Sequence, residues 1–162
     1  MKRAIIIGCP GGGKSTFARA LAQATGLPLH YLDMMYWNED RTTIPKEEFL
    51  QKLAEVISGD AWIIDGNYNS SIEMRLKACD TVFFLDYPVE VCLEGVEARR
   101  GKPRDDMPWV ENGVDADFID FIRKYPLESR PEVVSLLEKY PDRELHVFHN
   151  RQEAADYLNS LK

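Results

Sequence analysis

A segment near the amino terminus has the residue types and spacing of a phosphate-binding loop. Gly8-Cys9-Pro10-Gly11-Gly12-Gly13-Lys14-Ser15 fits the Walker A pattern, in which four variable residues separate a glycine from Gly-Lys-Ser or Gly-Lys-Thr. The apolar run Ala4–Ile7 precedes it, and an amphipathic helical pattern begins at Lys14. A strand, loop and helix in this order direct backbone N–H groups and the positive end of the helix dipole toward one phosphate. The motif and its context therefore predict a nucleoside triphosphate site.

Within this loop each residue type has a separate task. Glycine lets the backbone approach the phosphates closely, and it occupies Gly8, Gly11, Gly12 and Gly13. Lys14 is expected to reach the β- and γ-phosphates as a point charge, and Ser15 to ligate Mg²⁺ through its hydroxyl. Thr16 is expected to face the α-phosphate. We expect Cys9 to be a small filler residue and not a redox group.

Three aspartates follow apolar runs: Asp33, Asp65 and Asp86. In open α/β sheets ligands bind beyond the carboxyl ends of the strands, so these acids rank above the others. A Mg²⁺–triphosphate site needs an acid that holds the water shell of the metal, and both Asp65 and Asp86 have the required form. Gly66 after Asp65 permits close ligand approach, whereas Tyr87-Pro88 after Asp86 is typical of a helix start. We therefore favour Asp65 as the metal-side acid and keep Asp86 as the alternative.

Asp33 has a different predicted task, on the acceptor side of the phosphate loop. It follows the strand-like run after the first crossover, where a carboxylate could hold and deprotonate an acceptor hydroxyl. The alternative is a turn-forming residue before Met34-Met35. Tyr36 and Trp37 lie just beyond it and could flank a substrate or pack in the core.

These candidates need strands and helices that bring them together. Strands apolar on both faces are typical of a buried parallel sheet, and the runs of this kind are Arg3–Ile7, Ala61–Ile64, Thr81–Leu85 and Leu145–Phe148, with a weaker one at Pro28–Leu32. Helical patterns alternate with them at Lys14–Thr25, Pro45–Ser58, Val89–Arg100, Asp115–Lys124, Pro131–Lys139 and Gln152–Leu161. Alternating strands and helices predict a parallel α/β sheet with right-handed crossovers.

Composition limits the class of protein further. The 162 residues predict a single domain spanning residues 1–162. A formal net charge of −7 argues against nucleic-acid binding, because the one dense basic segment, Arg99–Arg104, is followed at once by Asp105 and Asp106. No apolar run approaches the roughly 20 residues of a membrane helix. Three cysteines without metal-ligand spacing favour neither disulfides nor zinc, and we expect a reducing cytoplasm.

Taken together, these motifs resemble the adenylate-kinase-like P-loop kinases, and among them the small proteins often called DNA-topology-modulation proteins. The resemblance covers nearly the whole chain. Gly8–Thr16 is similar to the phosphate loop of the group, Trp62–Gly66 to its third-strand Asp-Gly element, and Phe84–Pro88 to its fourth-strand ending. The features shared with the smaller subgroup are Leu32-Asp33 with Trp37, Asp65–Tyr68, Phe118-Ile119, Tyr125-Pro126 and Arg130-Pro131.

The resemblance implies a three-layer P-loop NTPase fold, a five-stranded parallel sheet in the order 2-3-1-4-5 flanked by helices. It also implies a short lid over residues 99–113 and an acceptor-side helix over residues 38–59. Phosphoryl transfer from ATP with Mg²⁺ would use lid arginines that clamp the transferring group, and the candidates are Arg99, Arg100 and Arg104. The end of the fifth strand lies on the adenine side in such folds, so Arg151 or Asn150 is the candidate contact to the base.

The chain also departs from known members of the group. Adenylate kinases continue the Asp-Gly element with Phe-Pro-Arg, whereas this chain has Asn67-Tyr68. The arginine of the nucleoside monophosphate site is thus missing at that position, which argues against such an acceptor. The paired-Asp and Gly-Gly-Gly acceptor signatures of shikimate kinases are also absent. Arg75 is a candidate to bind an acceptor phosphate or carboxylate, with a solvent-exposed helix face as the alternative.

The leading hypothesis is an ATP-dependent, Mg²⁺-requiring kinase of a small hydroxyl or phosphate acceptor. Lys14 and Ser15 hold the nucleotide and metal in this hypothesis, and the predicted acceptor-binding residues are Asp33, Trp37, Asn67 and Arg75. The alternative is a nucleotide-dependent regulatory ATPase or switch that binds a macromolecular partner.

The phosphate-loop hypothesis makes the first prediction. Lys14→Ala removes the point charge that reaches the β- and γ-phosphates, so most of the affinity for ATP is expected to disappear. Titration calorimetry with ATP measures this loss. Lys46→Ala is the control, because Lys46 lies outside the motif and should bind ATP as the wild type does. Wild-type affinity in Lys14→Ala would exclude the loop as the triphosphate site.

Overall fold

Five parallel strands form the centre of the molecule in the computed structural model, which describes residues 1–99, 108 and 116–162. The strands are β1 (Arg3–Gly8), β2 (Leu29–Tyr31), β3 (Trp62–Asp65), β4 (Thr81–Leu85) and β5 (Glu144–Phe148). They lie in the order β2-β3-β1-β4-β5, and every neighbouring pair is parallel. The carboxyl ends of the strands therefore meet at one edge of the sheet. The predicted fold and strand order are confirmed.

Helices connect the strands, as a parallel sheet requires. Those of the described residues are α1 (Lys14–Thr25), α2 (Leu32–Tyr36), α3 (Lys46–Ile57), α4 (Asn69–Ala78), α5 (Val89–Arg99), α6 (Ala116–Glu128), α7 (Arg130–Lys139) and α8 (Arg151–Ser160). Helix α1 and strand β4 have the bounds that the sequence pattern predicts, because both end at strong local signals. Gly26, for example, ends α1 in the left-handed conformation that glycine favours.

The core has two layers, one on each face of the sheet. Alternate residues of β1 point to opposite faces, so Ala4 and Ile6 belong to one cluster and Ile5 and Ile7 to the other. Buried residues of α1, α5, α6 and α8 complete the first cluster, and those of α2, α3, α4 and α7 complete the second. The sheet is thus covered on both faces, which explains why its central strands are apolar throughout.

The acceptor-side helix is shorter than predicted. Residues 38–45 are not helical, and a bridge between Trp37 and Thr43 closes this segment into a loop before α3 begins at Lys46. The predicted strand Pro28–Leu32 is also shorter, because the chain turns into α2 at Leu32. A helix of five residues is too short to show a helical period in the sequence.

The sequence pattern does not predict α4. The stripe that this helix buries contains two polar residues, Ser71 and Arg75, beside Ile72 and Leu76. The sequence does not show which groups Ser71 and Arg75 bind, so the stripe resembles a solvent-exposed helix face. Helix α6 also extends past its predicted end to Glu128, with Pro126 in its last turn. The predicted lid falls outside the described residues except for Arg99 and Pro108.

Helix α5 packs directly on the backbone of the phosphate loop. A β-carbon at Gly95 would lie 1.9 Å from the carbonyl oxygen of Gly11, and one at Gly11 would lie 2.2 Å from the carbonyl oxygen of Cys92. Gly11 also has a φ of 85°, which a residue with a side chain adopts only with strain. The loop and helix are therefore in backbone contact, and α5 supports the position of the loop.

This contact makes the second prediction. Gly95→Ala places a methyl group against the Gly11 carbonyl, and such overpacking costs about 1–3 kcal/mol. The gain of about 1 kcal/mol in helix propensity opposes the cost only in part. We expect a lower melting temperature and weaker ATP binding, measured by thermal unfolding and calorimetry. Glu94→Ala on the exposed side of the same helix is the control, and unchanged ATP binding in Gly95→Ala would contradict the proposed support.

Candidate active site

The phosphate loop joins β1 to α1 at the carboxyl edge of the sheet. Gly13 is the N-cap of α1, with a φ of 88°, and it has no side chain that could occupy the N–H groups of the first turn. Lys14 and Ser15 begin the helix with half-buried side chains, while Thr16 is exposed. The N-terminus of α1 and the loop backbone thus provide the donors that an anion needs.

Asn67 holds the first glycine of this loop from the side. Its Oδ1 accepts from the N–H of Gly8 at 3.0 Å, and its Nδ2 donates to the carbonyl oxygen of Gly8 at 2.5 Å. The side-chain amide therefore pairs with the backbone of Gly8 as a neighbouring strand would. On the other side of Gly8, a β-carbon would lie 2.4 Å from the carbonyl oxygen of Leu85. The start of the loop is fixed between the β3–α4 turn and the end of β4.

Arg75 supports the turn that carries Asn67, and its side chain is fully buried with 0% exposure. Its guanidinium donates to the carbonyl oxygen of Gly66 at 2.8 Å, to the carbonyl oxygen of Asn67, and to Oγ of Ser71 at 3.2 Å. Burial lowers the pKa of Arg75 to about 10, although the charge of Asp65 acts in the opposite direction. Arg75 thus stays charged near neutral pH. Because its guanidinium is buried against this turn, Arg75 is not exposed to bind an acceptor, as the acceptor-binding hypothesis expected, nor does it lie on a solvent-exposed helix face.

Asp33 and Tyr68 are hydrogen-bonded at the carboxyl end of β2. The hydroxyl of Tyr68 donates to Oδ1 of Asp33, and the side chain of Trp37 is hydrogen-bonded to the same hydroxyl. Asp33 lies in the first turn of α2 and is half-buried, so its carboxylate is at the predicted edge of the sheet and within reach of a small molecule. The structure therefore brings Asp33 and Trp37 together, and adds Tyr68, to which sequence reasoning assigned no task.

Tyr68, which bonds this carboxylate, belongs to a cluster of aromatic rings. The ring of Tyr36 lies 5.7 Å from that of Trp37, 5.2 Å from Phe49 and 5.3 Å from Tyr68, and it is edge-on to all of them. Phe49 of α3 is buried, whereas the other members of this aromatic cluster are partly exposed. Trp37 packs against Tyr36 of this cluster and is itself partly exposed, so its contact with an acceptor stays a prediction.

Asp65 ends β3 beside the phosphate loop. It is 5% exposed and lies in register with Ile6 of β1. The alternation of side chains along β3 places it on the face of Ile63, which α1 covers. Its carboxylate and the hydroxyl of Ser15 are both hard oxygen donors, which is the chemistry that Mg²⁺ prefers.

Asp86, the alternative acid on the metal side, forms a salt bridge with Arg130. Both of its carboxylate oxygens accept from Arg130, at 2.8 Å from Nε and 2.7 Å from Nη2. The Asp86 side chain is 13% exposed, and the pair ties the start of α7 to the end of β4. The hydrogen bond to Asp86 raises the pKa of Arg130. This bidentate pair accounts for Asp86 as a structural residue and leaves Asp65 as the candidate on the metal side.

The two candidate residues after β5, Asn150 and Arg151, have different surroundings. Asn150 is the N-cap of α8, and its Oδ1 accepts from the N–H of Glu153 at 2.9 Å. Arg151 is exposed, with Nη1 3.5 Å from the position of a β-carbon on Gly13. Of the two residues proposed for the base, Asn150 therefore caps a helix and Arg151 lies beside the loop. Among the lid arginines, Arg99 ends α5, while Arg100 and Arg104 lie outside the described residues.

Cys9 fills space in the loop, as expected. It is buried, and its hydrogen bond with Cys92 of α5, together with burial, raises the pKa of its thiol well above the ordinary value. A neutral, buried thiol packs as a small apolar residue and is a poor nucleophile. Within the described part of the chain, no helix is long and apolar enough to cross a bilayer.

Comparison with known proteins finds a curated relative of the chain. The shikimate kinase of Rhodococcus jostii (strain RHA1) is 30% identical to the chain over 115 residues, which span 62% of this chain and 68% of that protein. No protein-family model matches the chain.

Two solved structures have the same fold. Shikimate kinase from Bacteroides thetaiotaomicron superposes with a TM-score of 0.60 at 17% identity, over 99% of this chain and 96% of that one. Shikimate kinase from Acinetobacter baumannii in complex with shikimate gives 0.63 at 19% identity, over 99% and 90%.

The loop at the end of β1, the order of the sheet and these relatives define the class of protein: the chain is a P-loop kinase, a phosphotransferase. Within that class the chain belongs to the shikimate kinase family. The resemblance to P-loop kinases that the sequence motifs indicated is therefore confirmed at this level.

The two hydrogen bonds between the Asn67 amide and the backbone of Gly8, called the clamp on Gly8 below, lead to the third prediction. Asn67→Ala leaves the N–H and carbonyl of Gly8 without these partners, and such a loss costs about 1–3 kcal/mol. Because Gly8 starts the phosphate loop, ATP is expected to bind roughly 5- to 160-fold more weakly, measured by titration calorimetry.

Asn69→Ala is the matched control for this experiment. The amide of Asn69 makes an exposed hydrogen bond to Glu132 at 3.3 Å and does not contact the loop. Its loss should leave ATP binding unchanged. If Asn67→Ala binds ATP with wild-type affinity, the bonds to Gly8 do not support the phosphate loop. Asn67 would then remain only a candidate acceptor-binding residue.

Proposed function

We propose that this kinase transfers the γ-phosphoryl group of Mg²⁺–ATP to a hydroxyl or phosphate group of a small molecule bound at Asp33. The observation that carries the proposal is the short path from Asp33 to the phosphate loop: Asp33 is bonded to Tyr68, and the preceding Asn67 is bonded to Gly8. A carboxylate in this place is suited to orient an acceptor hydroxyl and take its proton. Family membership favours this function over a regulatory ATPase.

The donor side follows from the loop. Lys14 and the N–H groups at the start of α1 bind the phosphates, and Arg151 adds a positive charge beside Gly13. We propose that Arg99, with Arg100 and Arg104, clamps the transferring group. Most of the rate then comes from positioning and charge stabilisation, because phosphoryl transfer requires little covalent chemistry from the protein.

The metal side fits Mg²⁺. Ser15 offers a hydroxyl as a direct ligand, and Asp65 offers a carboxylate for the water shell. One carboxylate and one hydroxyl are enough protein ligands for Mg²⁺, because this ion keeps several waters and takes its other ligands from substrate phosphates. Held there, Mg²⁺ would offset the negative charge that develops on the phosphates during transfer.

The acceptor is a small molecule in this proposal. One structural neighbour is in complex with shikimate, which makes shikimate the first compound to test. The chain differs from shikimate kinases in the signatures described above, and its cleft has the aromatic cluster around Asp33, so the screen must be wider. We propose that Asp33 and Trp37 contact the acceptor directly and that Asn67 and Arg75 act by supporting the cleft.

Two finer hypotheses complete the proposal. The resemblance to the DNA-topology-modulation proteins rests on sequence motifs alone, and the net charge of −7 argues against duplex DNA as a partner. The three cysteines are free and buried, and we propose that the protein works in a reducing cytoplasm.

A screen tests the function and makes the fourth prediction. ADP release is measured with Mg²⁺–ATP and shikimate, other small hydroxy acids, sugars, nucleosides and nucleotides. A true acceptor should raise ADP release well above the rate in its absence. With that acceptor, Asp33→Asn is expected to lower kcat by about 10²–10⁴-fold, because the group that takes the proton is lost, while ATP binding stays unchanged.

Asp60→Asn is the matched control. Asp60 is exposed at the amino end of β3, on the opposite edge of the sheet from the loop. It should retain wild-type turnover. Full turnover in Asp33→Asn would remove Asp33 from the mechanism, and ADP release that changes with a macromolecule but with none of the small acceptors would overturn the kinase proposal.

A further inference from the structure

Tyr68 lies between the two sides of the proposed active site. Its hydroxyl has one proton and two lone pairs. The proton is donated to Oδ1 of Asp33, and the indole of Trp37, which can only donate, is hydrogen-bonded to the oxygen. The hydrogen bonds therefore run in one direction, from Trp37 to Tyr68 to Asp33. A hydroxyl that receives one hydrogen bond donates a stronger one.

The charge state of Tyr68 suits this task. Burial, and then the charge of Asp33 and the hydrogen bond to it, raise the pKa of Tyr68 above its ordinary value. Among the residues that the structure describes, Tyr36 of α2 also acts on this hydroxyl and raises its pKa. Tyr68 thus remains a neutral donor over the whole range in which the protein would work, and Asp33 has a constant partner.

The backbone at Tyr68, the residue that bonds Asp33, has a strained conformation that neighbouring contacts hold in place. Its φ of 43° is in the left-handed region, which costs a residue with a side chain about 1 kcal/mol or more. The carbonyl oxygen of Tyr68 accepts from the N–H of Ser71 at 2.8 Å and from its Oγ at 2.9 Å. Arg75 holds the two preceding carbonyls, and the ring lies 5.3 Å from those of Tyr36 and Phe49.

From this geometry we infer that Tyr68 is a positioning residue, which orients the Asp33 carboxylate toward the acceptor and stabilises its ionised form. The inference rests on the proposed function for its effect on rate. Because Asn67 holds Gly8 and the next residue holds Asp33, one turn sets the distance between the phosphate loop and the acceptor carboxylate. Tyr68 acts through Asp33 and needs no contact with the acceptor.

Tyr68→Phe tests the inference directly and makes the fifth prediction, since it keeps the ring in the aromatic cluster and removes only the hydroxyl. Carboxyl ¹³C NMR of aspartate-labelled protein, with the Asp33 signal assigned by its absence in Asp33→Asn, follows the titration without ATP or acceptor. The pKa of Asp33 is expected to rise in Tyr68→Phe, because the ionised form loses a donor. Tyr140→Phe is the matched control, since its hydroxyl also bonds a carboxylate, Glu73 at 3.2 Å, on another surface.

A second readout uses the acceptor found in the screen. Tyr68→Phe is expected to lower kcat about tenfold or more while the KM for ATP stays unchanged. If Tyr68→Phe unfolds, Trp37→Phe replaces it, with a smaller rise in the pKa of Asp33 because the Tyr68 hydroxyl becomes a weaker donor.

The outcomes separate the two proposals. An unchanged Asp33 titration in the folded variant overturns the positioning role, whatever the kinase does. Full turnover in Asp33→Asn overturns the proposed role of Asp33 in the reaction, while the NMR result still decides whether Tyr68 holds its carboxylate.

Discussion

The pairing of the Asn67 side chain with the backbone of Gly8 is the contact on which the rest of the site depends. Gly8 is the last residue of the central strand and the first of the phosphate loop, and its N–H and carbonyl are both bonded to one amide. The other side of Gly8 is closed by Leu85 of β4. With its start fixed on two sides and α5 in backbone contact further along, the loop is preorganised to bind phosphate.

The clamp is only as rigid as the turn that carries it, and a buried cation supports that turn. A guanidinium with 0% exposure would be costly without partners. Arg75 donates to the two carbonyls before Tyr68 and lies beside the charge of Asp65, so the cost is offset. The arginine thereby holds the strained conformation at Tyr68. In the sequence Arg75 resembles a surface residue, but in the structure its buried guanidinium supports the turn that carries Asn67 and Tyr68.

The chain belongs to the shikimate kinase family but lacks two of its sequence signatures, and one physical reason explains both facts. The chain shares its fold with solved shikimate kinases, and its own sequence has the Walker A pattern of P-loop proteins. The departures are the absent paired-Asp and Gly-Gly-Gly signatures, which belong to the acceptor side of shikimate kinases. A fold that leaves most of catalysis to positioning can change its acceptor by changing the residues of the acceptor side while it keeps the donor side.

The sequence by itself determined the phosphate loop, the strands and the acids at their carboxyl ends, because these depend on local patterns and on the edge that parallel strands share. It could not decide the tasks of Asn67, Arg75 and Asp86. Asn67 bonds a residue 59 positions away and Asp86 one 44 positions away, and nothing in the local pattern names such partners. Only the tertiary structure showed that Arg75 is buried beneath the turn, since a charged residue on a helix is exposed unless the fold brings it acceptors.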